Sequence, residues 1–331
     1  MNKEYQETIM PVGGQAVIEG VMMRSPKRIA TAIRRANGEI ELKTEEFQSL
    51  IQRYKYLNLP ILRGAITLIE VMVLGIKTLQ WSADKAMADV KVEERKFNSH
   101  DKKKKVGMST ASAIMTVIIA LTVGISLFFI LPLYLTTEIF SIEKDALLFN
   151  LITGIIRIIF FLLYVWGISF LKDVKRLFEY HGAEHKTIFA FEDKIFLSPE
   201  NIQKYTTFHP RCGTSFLVIV MLSALIFFAL LDTLIINWYG DINFFIRLIT
   251  HIPFIPVVGG ISYEALKASA KYSNSKIVRA LIAPGLGLQR ITTNPPDDQQ
   301  IEVAVHALKA ALGEEYKNEL IPDLASIEAT G

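Results

Sequence analysis

Residues 110–136 run for 27 positions without a single charge. A helix needs about 20 apolar residues to cross the hydrocarbon of a bilayer, so this run constrains the chain more than any other feature. Three further stretches follow. Residues 146–171 are apolar with one Arg157, residues 214–238 with one Asp232, and residues 242–263 with Arg247, His251 and the two prolines Pro253 and Pro256. With 51% hydrophobic residues overall, the chain is greasier than an average soluble protein of its size. The expected fold is an α-helical polytopic membrane protein with about four transmembrane helices in residues 108–266. Its proline-broken last span frees backbone carbonyls that need protein or water around them.

The sign of the connections orients those spans. Lys102–Lys105 precedes the first, KDVKR at 172–176 follows the second, and residues 267–279 after the fourth are again basic. The connections 137–145 and 239–241 are acidic or near neutral. By the positive-inside rule both termini and the 172–213 loop are expected to be cytoplasmic. No cleavable signal peptide is expected, because the first thirty or so residues lack an apolar core. The lysine tetrad beside a span fits anionic lipid head groups, so the lipid bilayer is the expected partner and nucleic acid is not.

Outside the spans the chain alternates between small elements. Residues 1–58 are expected to form a cytoplasmic β-rich region, with Asn37-Gly38 as a two-residue hairpin turn between Ile29–Ile33 and Glu39–Leu42. In residues 59–81, Arg63, Glu70 and Lys77 are spaced seven apart and form one polar stripe on a helix. A span with an ionic stripe and an in-plane amphipathic helix both fit; the in-plane or re-entrant form is the preferred expectation. Residues 82–107 read as a charged, partly helical linker. Residues 267–331 read as a cytoplasmic C-terminal region, in which Ala283–Leu288 is a loop and Asn294–Asp298 a turn into a final helix carrying Ile301, Val303, Val305, Leu308 and Leu312. Within the spans, Arg157 and Asp232 are the expected ion pair.

Chemistry concentrates between the second and third spans. His181-Gly-Ala-Glu184-His185 and His209-Pro-Arg-Cys212 hold three of the six histidines and the only cysteine. In a reducing compartment a lone cysteine is not a disulfide. Histidines four apart on a helix project from one face and can share a metal. His-x-x-Glu-His is the reversed zinc-hydrolase pattern, in which the glutamate serves as base for a metal-bound water. The expected ligands are His181, His185 and His209, with Cys212 as the fourth ligand or a supporting thiol. Glu184 is the expected base, and Glu264, at the end of the last span, an alternative ligand. The ion is expected to be divalent, zinc first and iron second. A closed set of three nitrogens and a sulfur is structural, whereas catalysis needs an open position.

Four segments, Gly13–Arg24, His181–Lys186, His209–Phe216 and Pro284–Gln289 followed by Asp297-Asp298, closely resemble the YqhQ-like family of bacterial membrane proteins. That family is a domain of unknown function labelled a predicted metal-dependent enzyme. The resemblance implies a multi-pass protein of the bacterial cytoplasmic membrane, and it places the glycine-rich N-terminal stretch in one unit with the His/Cys motifs. It supplies no reaction.

Three functions remain open on these grounds. The first is metal-assisted hydrolysis or transfer on a lipid-linked or membrane-proximal substrate. The second is a non-catalytic scaffold or assembly factor with a structural metal. The third is a transporter, which with four spans and no internal repeat requires a homo-oligomer.

Overall fold

The computed structural model describes residues 12–97, 110–140, 142, 145–210, 212–272 and 275–313. The Lys102–Lys105 tetrad and the end of the 82–107 segment lie outside the described residues.

The N-terminal region is a four-stranded antiparallel meander, β1 (Gly13–Val17), β2 (Gly20–Arg24), β3 (Arg28–Arg34) and β4 (Ile40–Glu46), in that spatial order. The β1–β2 connection is a two-residue turn in which Glu19 adopts φ +56°. Its carboxylate holds Arg176 through both oxygens, at 2.5 and 2.6 Å, which offsets the cost of a left-handed non-glycine residue. The β3–β4 turn is one residue longer than Asn37-Gly38 alone predicts. Arg35 pairs with Glu39, and Gly38, at φ +87°, donates to the Arg35 carbonyl. This is the three-residue form, with glycine at the left-handed position.

Helices follow as α1 (Leu50–Arg53), α2 (Leu62–Phe97), α3 (Thr110–Ile125), α4 (Leu131–Phe140), α5 (Ala146–Ile168), α6 (Lys172–Glu192), α7 (Pro199–Ile202), α8 (Gly213–Tyr239), α9 (Phe244–His251), α10 (Ile255–Lys271), α11 (Lys276–Thr292) and α12 (Asp298–Leu312). Four stretches are long and apolar enough to cross a membrane: Ile114–Phe140, Ala146–Ile168, Gly213–Tyr239 and Phe244–Ser269. The first is interrupted by a π-helical turn, Ser126–Ile130, just ahead of Pro132. Proline lacks the N–H and crowds the carbonyl four residues back, so the helix widens there instead of breaking. Pro253 acts likewise between α9 and α10, where Ile252–Phe254 tightens to a 3₁₀ turn.

The helix expected in residues 59–81 runs on without a break into the segment from residue 82, expected to be partly helical, the two together forming α2. No glycine or proline interrupts residues 78–97, and Lys85 and Asp89 tie them to Glu41 and Arg35 of the sheet. Ala283–Leu288 is not a loop but the second half of α11, with Pro284 inside it. Gly285 makes this possible: a Cβ there would lie 2.7 Å from the Ser215 Cα, so α11 packs backbone to backbone on α8. The Arg63–Glu70–Lys77 stripe also resolves. Arg63 pairs with Glu264, Glu70 accepts from Ser49 and the Leu50 N–H, and Lys77 is exposed.

The central strands β2 and β3 are buried on both faces, which is why they are apolar almost throughout. Val21, Met23, Ala30 and Ala32 pack with Tyr180, Ile188 and Phe191 of α6 and with Ile301, Ala304 and Leu308 of α12. Val17, Met22, Ile29 and Ile33 pack on Leu74 and Trp81 of α2. The N-terminal sheet, the segment after the second apolar stretch and the C-terminal helix therefore share one core. α12 follows the expected turn and is capped by a reciprocal Asp297–Gln300 capping box.

Candidate metal centre

α6 carries the site where it is enclosed on all sides. Gly182, Ala183, Glu184, His185, Lys186 and Thr187 are all buried. Gly182 is required by contact: a Cβ there would lie 2.1 Å from the Asn294 carbonyl. That close approach brings the end of α11 against α6. The His181 Nδ1–H then donates to the Thr292 carbonyl at 2.8 Å, and the His185 Nδ1–H to the Thr207 carbonyl at 2.5 Å. With both Nδ1 atoms committed as donors, each neutral ring presents its Nε2 lone pair elsewhere.

Both turn toward Cys212. The His181 Nε2 is 3.2 Å from Sγ. Donor atoms of His181, His185 and Cys212 all lie within 4.8 Å of one another. Cys212 is the N-cap of α8, where Sγ accepts from the Thr214 N–H at 3.4 Å and contacts Thr214 Oγ1 at 3.2 Å. That is the positive end of the helix dipole.

Glu184 stands beside this group, its Oε2 3.4 Å from His185 Nε2. Burial pushes its carboxyl above the usual carboxylate range, partly opposed by His181, His209 and the Gly14 backbone N–H. A Cβ on Gly14 would lie 2.6 Å from Glu184 Cγ. The glycine-rich N-terminal stretch therefore joins the His/Cys motifs through β1. Burial also lowers the proton affinity of His185, opposed by Cys212, and that of His209, opposed by Glu184. Burial thus favours the neutral form of both rings.

Two expected ligands are not brought into the group. His209 packs on Phe189, with ring centroids 4.5 Å apart, and its Nε2 lies 3.8 Å from Glu192. It stands beside His185, ring to ring at 5.5 Å, but outside the three-residue donor set. Glu264 is taken by Arg63, whose Nε and terminal nitrogen bond both carboxylate oxygens. The cause is a glycine contact, Gly64 of α2 on Gly260 of α10, which lays the two helices side by side. The structure thus gathers two nitrogens and a sulfur, not three nitrogens and a sulfur.

Sequence reasoning missed the groups that hold the ligands. Gln289, fully buried, bonds the backbone of His209 at both ends, accepting from its N–H at 2.7 Å and donating to its carbonyl at 2.8 Å. It also donates to Ser215 Oγ at 3.0 Å and so fixes the turn that presents Cys212. Thr207 and Thr292 contribute only carbonyls, for which the side-chain sequence carries no signal. Gln289 was visible only as the last residue of the Pro284–Gln289 motif.

The fold and site define a class: a set of long apolar helices carrying, around one helix, a compact α/β module with a His–His–Cys donor group. The family model described as a protein of unknown function (DUF1385) matches residues 59–314, and the chain belongs to that family. It is 32% identical over 307 residues to the uncharacterised protein YqhQ of Bacillus subtilis strain 168, covering 91% of this chain and 92% of that one. No solved structure matches.

Proposed function

We propose that this is an integral membrane protein with a divalent metal centre at the cytoplasmic face, held by His181, His185 and Cys212, with Glu184 as general base. The observation that carries the reading is the pair of carbonyl-anchored imidazoles whose Nε2 atoms converge on one sulfur. Fixing the far nitrogen of a ligating histidine is the usual support for a metal site. Two nitrogens and a sulfur suit zinc first and iron second, and three protein ligands leave a position open. A bound ion would supply Lewis acidity and an activated water. Glu184 would accept a proton there: burial raises its proton affinity toward the working range of a general base. The reaction class is hydrolysis or transfer on a lipid-linked or membrane-proximal substrate.

Chain parity supports the membrane placement. The sheet, α6 and α12 share one core, so an even number of crossings must separate them. Two apolar stretches lie between the sheet and α6, and two between α6 and α12. The module then stays on one side only if α2 does not cross as well. Exposed Ile69, Met72 and Val73 beside exposed Lys77 suit α2 to lie in the membrane plane. Aromatic residues mark both ends of the apolar set: exposed Trp166 and Phe170 at one end of α5, and Trp238 and Tyr239 at the opposite end of antiparallel α8. The basic connections support a cytoplasmic placement of the module.

A structural metal is the second reading, favoured by the burial of Glu184, His185 and Cys212 to 5%, 1% and 6% exposure. Elemental analysis of the full chain in mild detergent, with cobalt substitution, tests both. The metal reading expects about one ion per chain and a sulfur-to-cobalt charge-transfer band that disappears in Cys212→Ser; a metal content near zero refutes it. In Glu184→Gln, metal content is expected to stay intact. Lost turnover then marks catalysis, and unchanged function marks the structural role.

A further inference from the structure

At the far end of α8, about 30 Å from Cys212 at 1.5 Å per helical residue, a second polar group lies inside the apolar helices. Asp232 and His251 are fully buried. Asp232 accepts from Asn150 Nδ2 at 2.8 Å, Arg247 Nε at 2.9 Å and His251 Nε2 at 2.8 Å. The expected Arg157–Asp232 pair is not formed. Asn150 occupies the place on α5 opposite Asp232, and Arg157 lies two turns further along. Arg157 instead covers the Phe129 ring, its Cζ 4.7 Å from the centroid. The same Phe129 ring lies edge-on to His251 at 6.3 Å, and His251 stacks on Phe228 at 4.1 Å.

Three polar atoms around Phe129 are buried with no hydrogen-bond partner among the described residues: Nε and Nη2 of Arg157, and Nδ1 of His251. Each has a definite polarity. Nε and Nη2 form one edge of the guanidinium, the fork that grips two oxygens of an oxyanion side by side. Because the His251 Nε2–H donates to Asp232, Nδ1 of the neutral ring is an acceptor. Arg157 is buried and forms no ion pair with a carboxylate among the described residues. Buried charges and polar groups of this kind call for partners.

We propose that Arg157 and His251 bind a hydroxyl-bearing oxyanion of single charge, hydrogencarbonate or dihydrogen phosphate, within the helix set. Its two oxygens accept from Nε and Nη2 of Arg157, and its hydroxyl donates to Nδ1 of His251. Its one negative charge offsets that of Arg157. Asp232, Arg247 and Asn150 hold His251 in the tautomer that accepts. No bond is made or broken, and the site is independent of the His/Cys group.

The test is NMR line broadening of carbon-13 hydrogencarbonate, phosphorus-31 phosphate and carbon-13 formate on the full chain in mild detergent, at constant ionic strength. Saturable broadening by hydrogencarbonate or phosphate is expected, and whichever competes out the other names the source. Formate, which lacks the hydroxyl, is expected to bind about tenfold more weakly, the worth of roughly one hydrogen bond. His251→Gln should erase that preference, and Arg157→Gln should abolish binding of all three while leaving metal content unchanged. If Arg157→Gln does not fold, Arg157→Lys keeps the charge without the fork and should weaken binding about tenfold. Absence of saturable broadening in folded wild type, equal binding of formate, or binding retained in Arg157→Gln overturns the proposal.

Discussion

Gln289→Leu separates a side chain that merely fills space from one that builds the site. Leucine is close to glutamine in size, so little cavity is made. Three hydrogen bonds disappear: from the His209 N–H, to the His209 carbonyl, and to Ser215 Oγ. His209 and Ser215 are buried to 5% and 1% exposure, so the groups left behind are cut off from water. An unmet buried polar group costs about 1–3 kcal/mol. The His209 carbonyl still accepts from the Cys212 N–H at 3.3 Å, so the His209 N–H and Ser215 Oγ are the groups affected, and with partial relaxation of the turn the loss amounts to about 2–4 kcal/mol. The turn also positions Cys212, so metal affinity should fall about 10–100-fold, as for other groups that support a ligand. Reversible unfolding in mixed micelles gives the first quantity, and a chelator competition gives the second. A stability loss under about 1 kcal/mol with unchanged metal affinity would mean that Gln289 does not hold the turn.

Gly14→Ala should cost about 1–3 kcal/mol, as overpacking does, because its Cβ would lie 2.6 Å from Glu184 Cγ and 2.9 Å from the Met22 carbonyl. Gly13→Ala, which meets nothing within 4 Å, is the matched control, and thermal unfolding of the two variants should differ accordingly. The pH profile of metal-free protein provides another check. Burial first of all holds His185 and His209 below the ordinary imidazole value of 6.5, so below that pH the unfolded chain binds more protons than the folded one. Their contribution is complete above 6.5 and declines on acidification, by up to about 1.4 kcal/mol per pH unit for each ring. Glu184 acts in the opposite sense: its raised proton affinity makes the folded state gain stability as pH falls toward the ordinary value of 4.5. Metal-free Glu184→Gln should therefore lose stability in acid more steeply than wild type, and parallel profiles would contradict the burial of this carboxyl.

The four apolar stretches, the helix carrying His181 and His185, the β-rich N-terminal region and the last helix could all be read from the chain. Each rests on local physics: uninterrupted apolar length, spacing of four along a helix, a glycine needed at positive φ, an apolar face following a proline turn. The pairing of groups far apart in sequence could not be read that way. Glu264 looked like a spare ligand until Gly64 on Gly260 brought Arg63 to it. Arg157 looked like the partner of Asp232 until Arg247 and His251 took that place. His181, His185 and Cys212, which the fold brings together, were among the residues singled out from the chain, while the place of His209 beside them depended on where Gln289 and Phe189 hold its turn. Residue type and spacing determine which side chains have the chemistry to bind an ion. Which of them share a centre is decided by glycine contacts and buried carbonyls, since these set how closely distant backbones approach and leave no trace in side-chain chemistry.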